Sequence, residues 1–319
     1  MDRQKVVFIL GIMQRSGTNF LRNLLCMHPN CGLVMPIAED FLIHNCHHLD
    51  LYIQSVSKMW HPSWGGLDKC KERLARFLER GVLDFLASLT TDEWLSLFNE
   101  WNVALPSKVV LKKTPAVVVT KSPSAKNLDL VNKLFPNAKI IVIVRDGRAL
   151  VASGMKSFGW KLESAVRKFA EEAECILKAL PQQPNMILIK YEDLLANRDC
   201  TMKRIFEFIG VDKEHFNCQL LDDFPVTGSS QMKETDGEVH WKPIKLKNFE
   251  PLKRWQQLTP KQLSRYYWIA GVVHEQLGYP RDERLSGLNF FFMNQIKDFS
   301  RLIRLTVRRT TLRFRKKQR

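Results

Sequence analysis

Hydrophobic residues along this chain fall into two alternating rhythms. Val6–Leu10 is a continuous apolar run, and Lys139–Val144 and Met186–Lys190 each hold one beside a single terminal lysine. Runs this short, rich in Val and Ile, predict strands buried on both faces. Val109–Leu111 predicts a shorter strand that Pro115 ends. Between them the period lengthens to that of a helix. Phe20, Leu21, Leu24 and Leu25 share one side after the first strand. Leu74, Phe77, Leu78, Val82, Phe85 and Leu86 repeat at helical spacing within 67–101, the segment 129–135 predicts a short helix, and 162–180 a long amphipathic one. Strand alternating with helix predicts βαβ units and a parallel sheet, hence an α/β fold. Such sheets bind ligands at the carboxyl ends of their strands.

The polar residues at those ends carry the chemistry. Gln14-Arg15-Ser16-Gly17-Thr18-Asn19 joins the first strand to its helix. Strand, small-residue loop and helix N-terminus form an anion cradle, because the first helical amides lack intrahelical partners and the dipole favours negative charge. A Walker A loop needs G-x-x-x-x-G-K-[ST]. Here Gly11 and Gly17 are spaced differently, Thr18 replaces the lysine, and the cation is Arg15. The strand at 139–144 runs into Arg145-Asp146-Gly147-Arg148, with Ser153 following. A guanidinium and a hydroxyl are the groups a phosphate dianion wants. Lys113, in Lys112-Lys113-Thr114-Pro115, also follows a strand end.

These segments resemble the PAPS-dependent sulfotransferase family, with details closest to its bacterial and tyrosylprotein branches. The supporting motifs are R-S-G-T at 15–18, Arg145 with Ser153, the Tyr191-Glu192-Asp193-Leu194 segment, and Gly228-Ser229-Ser230 followed by His240-Trp241-Lys242-Pro243. The resemblance covers residues 5–280. It implies a three-layer α/β sandwich with a central, mainly parallel sheet, the P-loop-like sulfotransferase fold. It also implies transfer of a sulfuryl group from 3′-phosphoadenosine 5′-phosphosulfate (PAPS) to a hydroxyl or amine acceptor, leaving adenosine 3′,5′-bisphosphate. Arg15, Ser16, Gly17, Thr18 and Asn19 would cradle the 5′-phosphosulfate, and Arg145 and Ser153 the 3′-phosphate. Tyr191 would lie near the adenosine, with Ser230 and Lys242 closing over the cofactor. Arg15, Lys113 and Ser229 would stabilise charge during transfer. The general base falls first to Glu39, with Asp40 and His44 as alternatives. No metal is implied.

Composition narrows the setting. The chain has 319 residues, a net charge of +16, 45% hydrophobic and 26% charged residues, ordinary for a globular protein apart from the charge. That charge suits polyanionic ligands; no helix-turn-helix, zinc-finger or aromatic RNA-binding pattern accompanies it, so nucleic acid is not an expected partner. Seven cysteines at irregular spacing, none in C-x-x-C, read as reduced, buried thiols, and with no signal-peptide pattern read after Met1 a cytoplasmic location is the expectation. His44, His47, His48, Trp60, His61 and Trp64 read as an acceptor-pocket wall or ordinary packing, with His44 and His48 at i,i+4 on one helix. The expected organisation is a sulfotransferase domain over 1–285, with a helical acceptor-side cap over about 41–105, and a basic amphipathic extension over 286–319. In that extension Phe292, Ile296, Phe299 and Ile303 share a helical face, and residues 297–319 hold ten Lys or Arg against Asp298. Peripheral contact with an anionic membrane through 290–319 is expected. The competing functions are a P-loop nucleotide kinase, against which the missing Walker lysine argues, and a non-catalytic nucleotide- or lipid-binding module.

Overall fold

The computed structural model describes residues 5–33, 39, 41–88, 116–213, 216, 225–226, 232–235, 238–241, 244–245, 251–281 and 288–317. Five strands form a parallel sheet: β1 (Lys5–Gly11), β2 (Cys31–Leu33), β3 (Val117–Ser122), β4 (Lys139–Val144) and β5 (Met186–Lys190), in the order β2-β3-β1-β4-β5. Three of these strands lie where the apolar runs predict them. β3 does not: the strand begins two residues after Pro115, on the β-branched run Val117-Val118-Val119-Thr120, whereas 109–111 lies outside the described residues.

Each central strand is buried on both faces, so successive residues feed two cores. Phe8, Leu10, Ile140, Val142 and Val144 point to one core, Val7, Ile9, Ile141 and Ile143 to the other. The first is closed by α6 (Gly147–Phe158), α7 (Leu162–Ala179) and α10 (Pro260–Gln276) through Leu150, Phe169, Ile176 and Tyr266. It also receives α2 (Leu42–Asn45), α3 (His47–Lys58) and α4 (Leu67–Ser88) through Ile43, Ile53 and Leu78. The second is closed by α1 (Thr18–Cys26) and by α8 (Tyr191–Ala196) and α9 (Arg198–Ile209), through Leu21, Leu24, Leu194, Ile205 and Phe206. Helices cover both faces, which is the three-layer α/β sandwich. Between β3 and β4 lies α5 (Val131–Leu134).

Three expectations change. Phe77 is 69% exposed, because Leu74, Leu78 and Val82 take the buried side of α4. Cys175 and Cys200 are exposed; Cys175 sits opposite the Val166–Phe169–Ala173–Ile176 stripe of α7. His44 and His48 do not share a helix, because α2 ends at Asn45 and α3 begins at His47.

The last helix, α11 (Leu288–Lys317), has a carboxylate, Asp298, at the centre of its docked face. Asp298 accepts from Arg265 Nη2 at 2.6 Å, Arg167 Nη2 at 2.9 Å and Trp268 Nε1 at 2.7 Å. Glu163 Oε2 accepts from Arg265 Nε at 2.7 Å. Burial alone would raise both carboxyls. The hydrogen bonds from Arg265, joined at Asp298 by Trp268 and at Glu163 by Arg167, hold both below the usual carboxylate range. Lowered folded values stabilise the protein at neutral pH, and that stability is lost as pH falls. Asp298→Ala is expected to lower the urea-unfolding free energy by about 1–2 kcal/mol, toward the low end of a charged hydrogen-bond network because the site is partly solvated. The loss should be measurable at pH 7 and shrink as pH drops below about 4, where the wild type loses the same ion pairs.

Candidate functional site

The strand order reverses at β1. From β1 the chain moves toward β2 and β3, and returns to the far side for β4 and β5. A crevice at the carboxyl ends of β1 and β4 follows from that reversal. Two loops meet in it.

The first leaves β1 at Ile12, whose amide still donates to Ile143 O at 3.1 Å. Ser16 Oγ donates to Met13 O and closes the turn. Gly17 has φ 102°, and a Cβ there would strike the ring of Tyr191, so both conformation and space demand glycine. Arg15 has φ 77°, a left-handed conformation costing about 1–3 kcal/mol for a non-glycine residue. α1 then begins with no side-chain cap, which turns its first amides toward any anion in the crevice. Thr18 is buried and Asn19 half-buried on that first turn.

The second loop follows β4. Asp146 caps α6 by accepting from Arg148 N at 2.9 Å. Glu192 braces the same turn, accepting from Asp146 N at 2.9 Å and from the Tyr279 hydroxyl at 2.8 Å. Ser153, 1% exposed on α6, is where the two loops join. Its Oγ accepts from Arg15 Nε at 3.2 Å and from Arg254 Nη1 at 3.0 Å. Arg145 donates Nη1 to Arg15 O at 2.8 Å and Nη2 to Pro251 O at 2.7 Å. It therefore fixes the backbone on which Arg15 stands and the segment 252–257 that carries Arg254. The Arg145 guanidinium lies 4.9 Å from the Tyr191 ring centre, and that of Arg15 lies 5.6 Å from Phe158.

Three guanidiniums thus share one partly buried patch. Burial, with Arg254 and Arg145 adding repulsion, lowers the Arg15 pKa to about 10. Burial and Arg145 lower that of Arg254. Burial raises the Tyr191 phenol, though Arg145 and Arg254 pull the other way. Arg145 Nε is buried without a hydrogen-bond partner. Desolvated, mutually repelling cations beside an uncapped helix N-terminus fit a ligand with more than one negative charge. A nucleotide carrying phosphate and sulfate groups fits these residues.

A second cluster lies on the other side of β1. Lys121 is the penultimate residue of β3, in register with Ile9 of β1. Its side chain is 3% exposed, and Nζ donates to Glu39 Oε1 at 2.9 Å. Arg22, buried on α1, also feels the Glu39 carboxylate: burial lowers its pKa, with Cys26 and Glu39 opposing. His44 belongs to a separate network. The Ser124 hydroxyl donates to Glu172 Oε1 at 2.8 Å, and its oxygen lies 2.7 Å from His44 Nδ1. That assignment makes Nδ1 the donor and leaves Nε2 with the lone pair. Burial, Lys126, Lys168 and His47 lower the His44 pKa.

The structure therefore brings Arg15, Ser16, Gly17, Thr18, Asn19, Arg145, Ser153 and Tyr191 to one crevice and Glu39 to its neighbour. Lys113, Asp40, Ser229, Ser230 and Lys242 lie outside the described residues. Arg254 and Lys121 escape the sequence reading. Lys121-Ser122-Pro123 is a second K-x-P step after Lys113-Thr114-Pro115, and that repetition is the signal that finds it. Nothing around Arg254 marks it apart from its charge.

Three comparisons with known proteins bear on this arrangement. A model of the sulfotransferase family matches residues 6–215. A protein-tyrosine sulfotransferase 1 from Danio rerio is 26% identical over 292 residues, covering 86% of this chain and 72% of the relative. A protein-tyrosine sulfotransferase A from Caenorhabditis elegans is 22% identical over 300 residues, covering 87% and 68%. Among solved structures, the sulfotransferase domain from the Synechococcus PCC 7002 olefin synthase matches at a TM-score of 0.47 and 17% identity, covering 88% of this chain and 98% of that one.

The arginine patch should bind simple anions even without a nucleotide. Titration with inorganic sulfate is expected to raise the melting temperature of the wild type by mass action. Arg254→Ala is expected to lower the apparent affinity at least about tenfold, the loss of one charge-assisted hydrogen bond. An unchanged sulfate titration would place Arg254 outside the anion site.

Proposed function

The chain belongs to the sulfotransferase family, and from that premise we propose how its own residues divide the work of transfer. When bound, PAPS supplies the sulfuryl group, which passes to an acceptor hydroxyl as adenosine 3′,5′-bisphosphate is released. Family membership sets aside the nucleotide-kinase and non-catalytic alternatives.

The observation that carries the division of roles is Ser153, with its hydroxyl shared by Arg15 and Arg254 and its surroundings held by Arg145. On this reading that crevice is the phosphate end of the donor site. Arg15, the loop amides and the Thr18 hydroxyl hold the negative charge that grows at the leaving group, while the Ser16 hydroxyl, donated to Met13 O, keeps the turn in shape. Preorganised donors of this kind are worth about 3 kcal/mol each in other enzymes. Arginine stays protonated at neutral pH, so Arg15 acts by charge and position. Arg145 and Ser153 hold phosphate oxygens, with Tyr191 against the nucleoside; Ser230 and Lys242 take the closing roles, and Ser229 the charge-stabilising role, that the family resemblance assigns them.

Glu39 is assigned as the general base. It is a half-exposed carboxylate held at 2.9 Å by the buried Lys121 ammonium. Lys121 is assigned to the acceptor side as well as Lys113, since its strand runs beside β1 on the flank away from β4. The pair keeps a base and a cation together where the proton leaves the acceptor and negative charge passes to the sulfuryl oxygens. The relatives named protein-tyrosine sulfotransferase make a phenol the first hydroxyl to test. Six free thiols among the described residues support a reducing, cytoplasmic setting.

Adenosine 3′,5′-bisphosphate is expected to stabilise the protein against heat more than ATP does at equal concentration. Glu39→Gln is expected to keep that stabilisation while turnover, followed by mass spectrometry with PAPS and a panel of tyrosine peptide, sugar and lipid acceptors, falls about 10²–10⁴-fold. Near-normal turnover in the variant would reject Glu39 as the base.

A further inference from the structure

The C-terminal helix α11 has two faces with different occupants. One is docked: Asp298 meets Arg265, Arg167 and Trp268, Asn294 Nδ2 donates to Ser264 Oγ at 3.1 Å, and Phe291 packs edge-on against Trp268. The other carries large apolar side chains into solvent. Phe292, Ile296, Phe299 and Ile303 are 61%, 65%, 67% and 49% exposed. At helical spacing they fall within a stripe about 60° wide, turned roughly 130° from Asp298. Single exposed hydrophobics are ordinary, but four in register on one helix are not. Between the two faces Lys297 is exposed, and from Lys297 to Arg319 the chain has ten Lys or Arg and no acid except Asp298.

We propose that this stripe is a docking surface for an anionic lipid bilayer, with α11 lying in the headgroup plane. The charge selects the occupant. A protein groove would take the apolar stripe without needing ten cations beside it, and a second copy of this helix would bring ten more of the same sign. A bilayer containing acidic lipid satisfies both, burying the aromatic and aliphatic stripe at the acyl boundary while the basic residues meet headgroups. No described helix is long and apolar enough to cross a membrane, so α11 lies on the bilayer rather than through it.

The docking is oriented with respect to the site. Phe158, at the end of α6, lies under the Arg15 guanidinium, and α7 starts four residues later. α7 then runs back to the amino edge, where β5 begins. Glu163, which shares Arg265 with Asp298, is therefore at the carboxyl edge of the sheet. The bilayer helix is held to the same edge as the anion crevice.

The test is co-sedimentation of the full 319-residue chain with vesicles of phosphatidylcholine plus phosphatidylserine, and with vesicles of phosphatidylcholine alone. Binding to the anionic vesicles is expected, reduced at high salt, and weak on neutral ones. The double variant Ile296→Asp, Phe299→Asp is expected to partition at least about tenfold less, with its melting temperature unchanged because both side chains are already in solvent. Absence of binding to anionic vesicles would overturn the proposal, as would equal binding by the variant. It would also fail if the wild type sedimented as a dimer that the same variant dissociates, for then a second copy covers the stripe.

Discussion

The structure turns on a repulsion. Arg15, Arg145 and Arg254 are gathered around the Ser153 hydroxyl and the Tyr191 ring, where burial weakens hydration and like charges face one another. In the absence of an anion such a cluster destabilises the fold that holds it. Rigid elements must hold it together, and the carboxyl ends of β1 and β4 do so. Gly11 sits opposite Ile143, and Ile12 continues the pairing, so the two loops leave the sheet side by side.

Arg145 shows how the holding works. Its two terminal nitrogens go to backbone carbonyls, one in each segment that carries another arginine. A charged fork donating to two carbonyls is a geometric clamp. Around it, carboxylates are placed to brace rather than to neutralise. Asp146 is taken by Arg148, which also bonds Tyr267 at 2.7 Å and lies 4.5 Å from the Trp255 ring centre. Glu192 is taken by the Asp146 amide and Tyr279. The nearby negative charges are thus committed to the scaffold, and positive potential stays in the crevice, where a polyanionic donor would find it. The net charge of +16 extends the same bias over the whole molecule.

The cluster proposed for the acceptor side is built on a different principle. There Glu39 and Lys121 form a pair, with one partner buried and the other partly in solvent. A buried ammonium without a carboxylate would be costly, so the pair is held together by the desolvation of its lysine. The His44–Ser124–Glu172 network lies just beyond Pro123, on the segment that follows β3. It fixes a ring tautomer by hydrogen bonds alone. The two clusters therefore occupy opposite sides of β1, one dominated by charge of a single sign and the other by matched partners.

Most of the frame was legible in the chain. Buried strands announce themselves as unbroken Val and Ile runs, and the helices as apolar stripes, because burial on two faces and on one face leave different periods. The R-S-G-T loop, Arg145 and Ser153 were legible too, since a strand end followed by glycine, hydroxyl and guanidinium is a local pattern set by backbone geometry. β3 was missed because Pro115 reads as a stop, and the β-branched run begins only beyond it. Arg254, the Lys121–Glu39 pair and the exposure of Phe77 and Cys175 were decided by tertiary structure. Each depends on which distant segment packs alongside: 251–257 across from Ser153, residue 39 against β3, Leu74 and Leu78 claiming one side of a helix. Sequence spacing records how far apart residues lie along the chain. Desolvation, ion pairing and exposure depend on how far apart they lie in space, and only the closed sheet and its covering helices fix that.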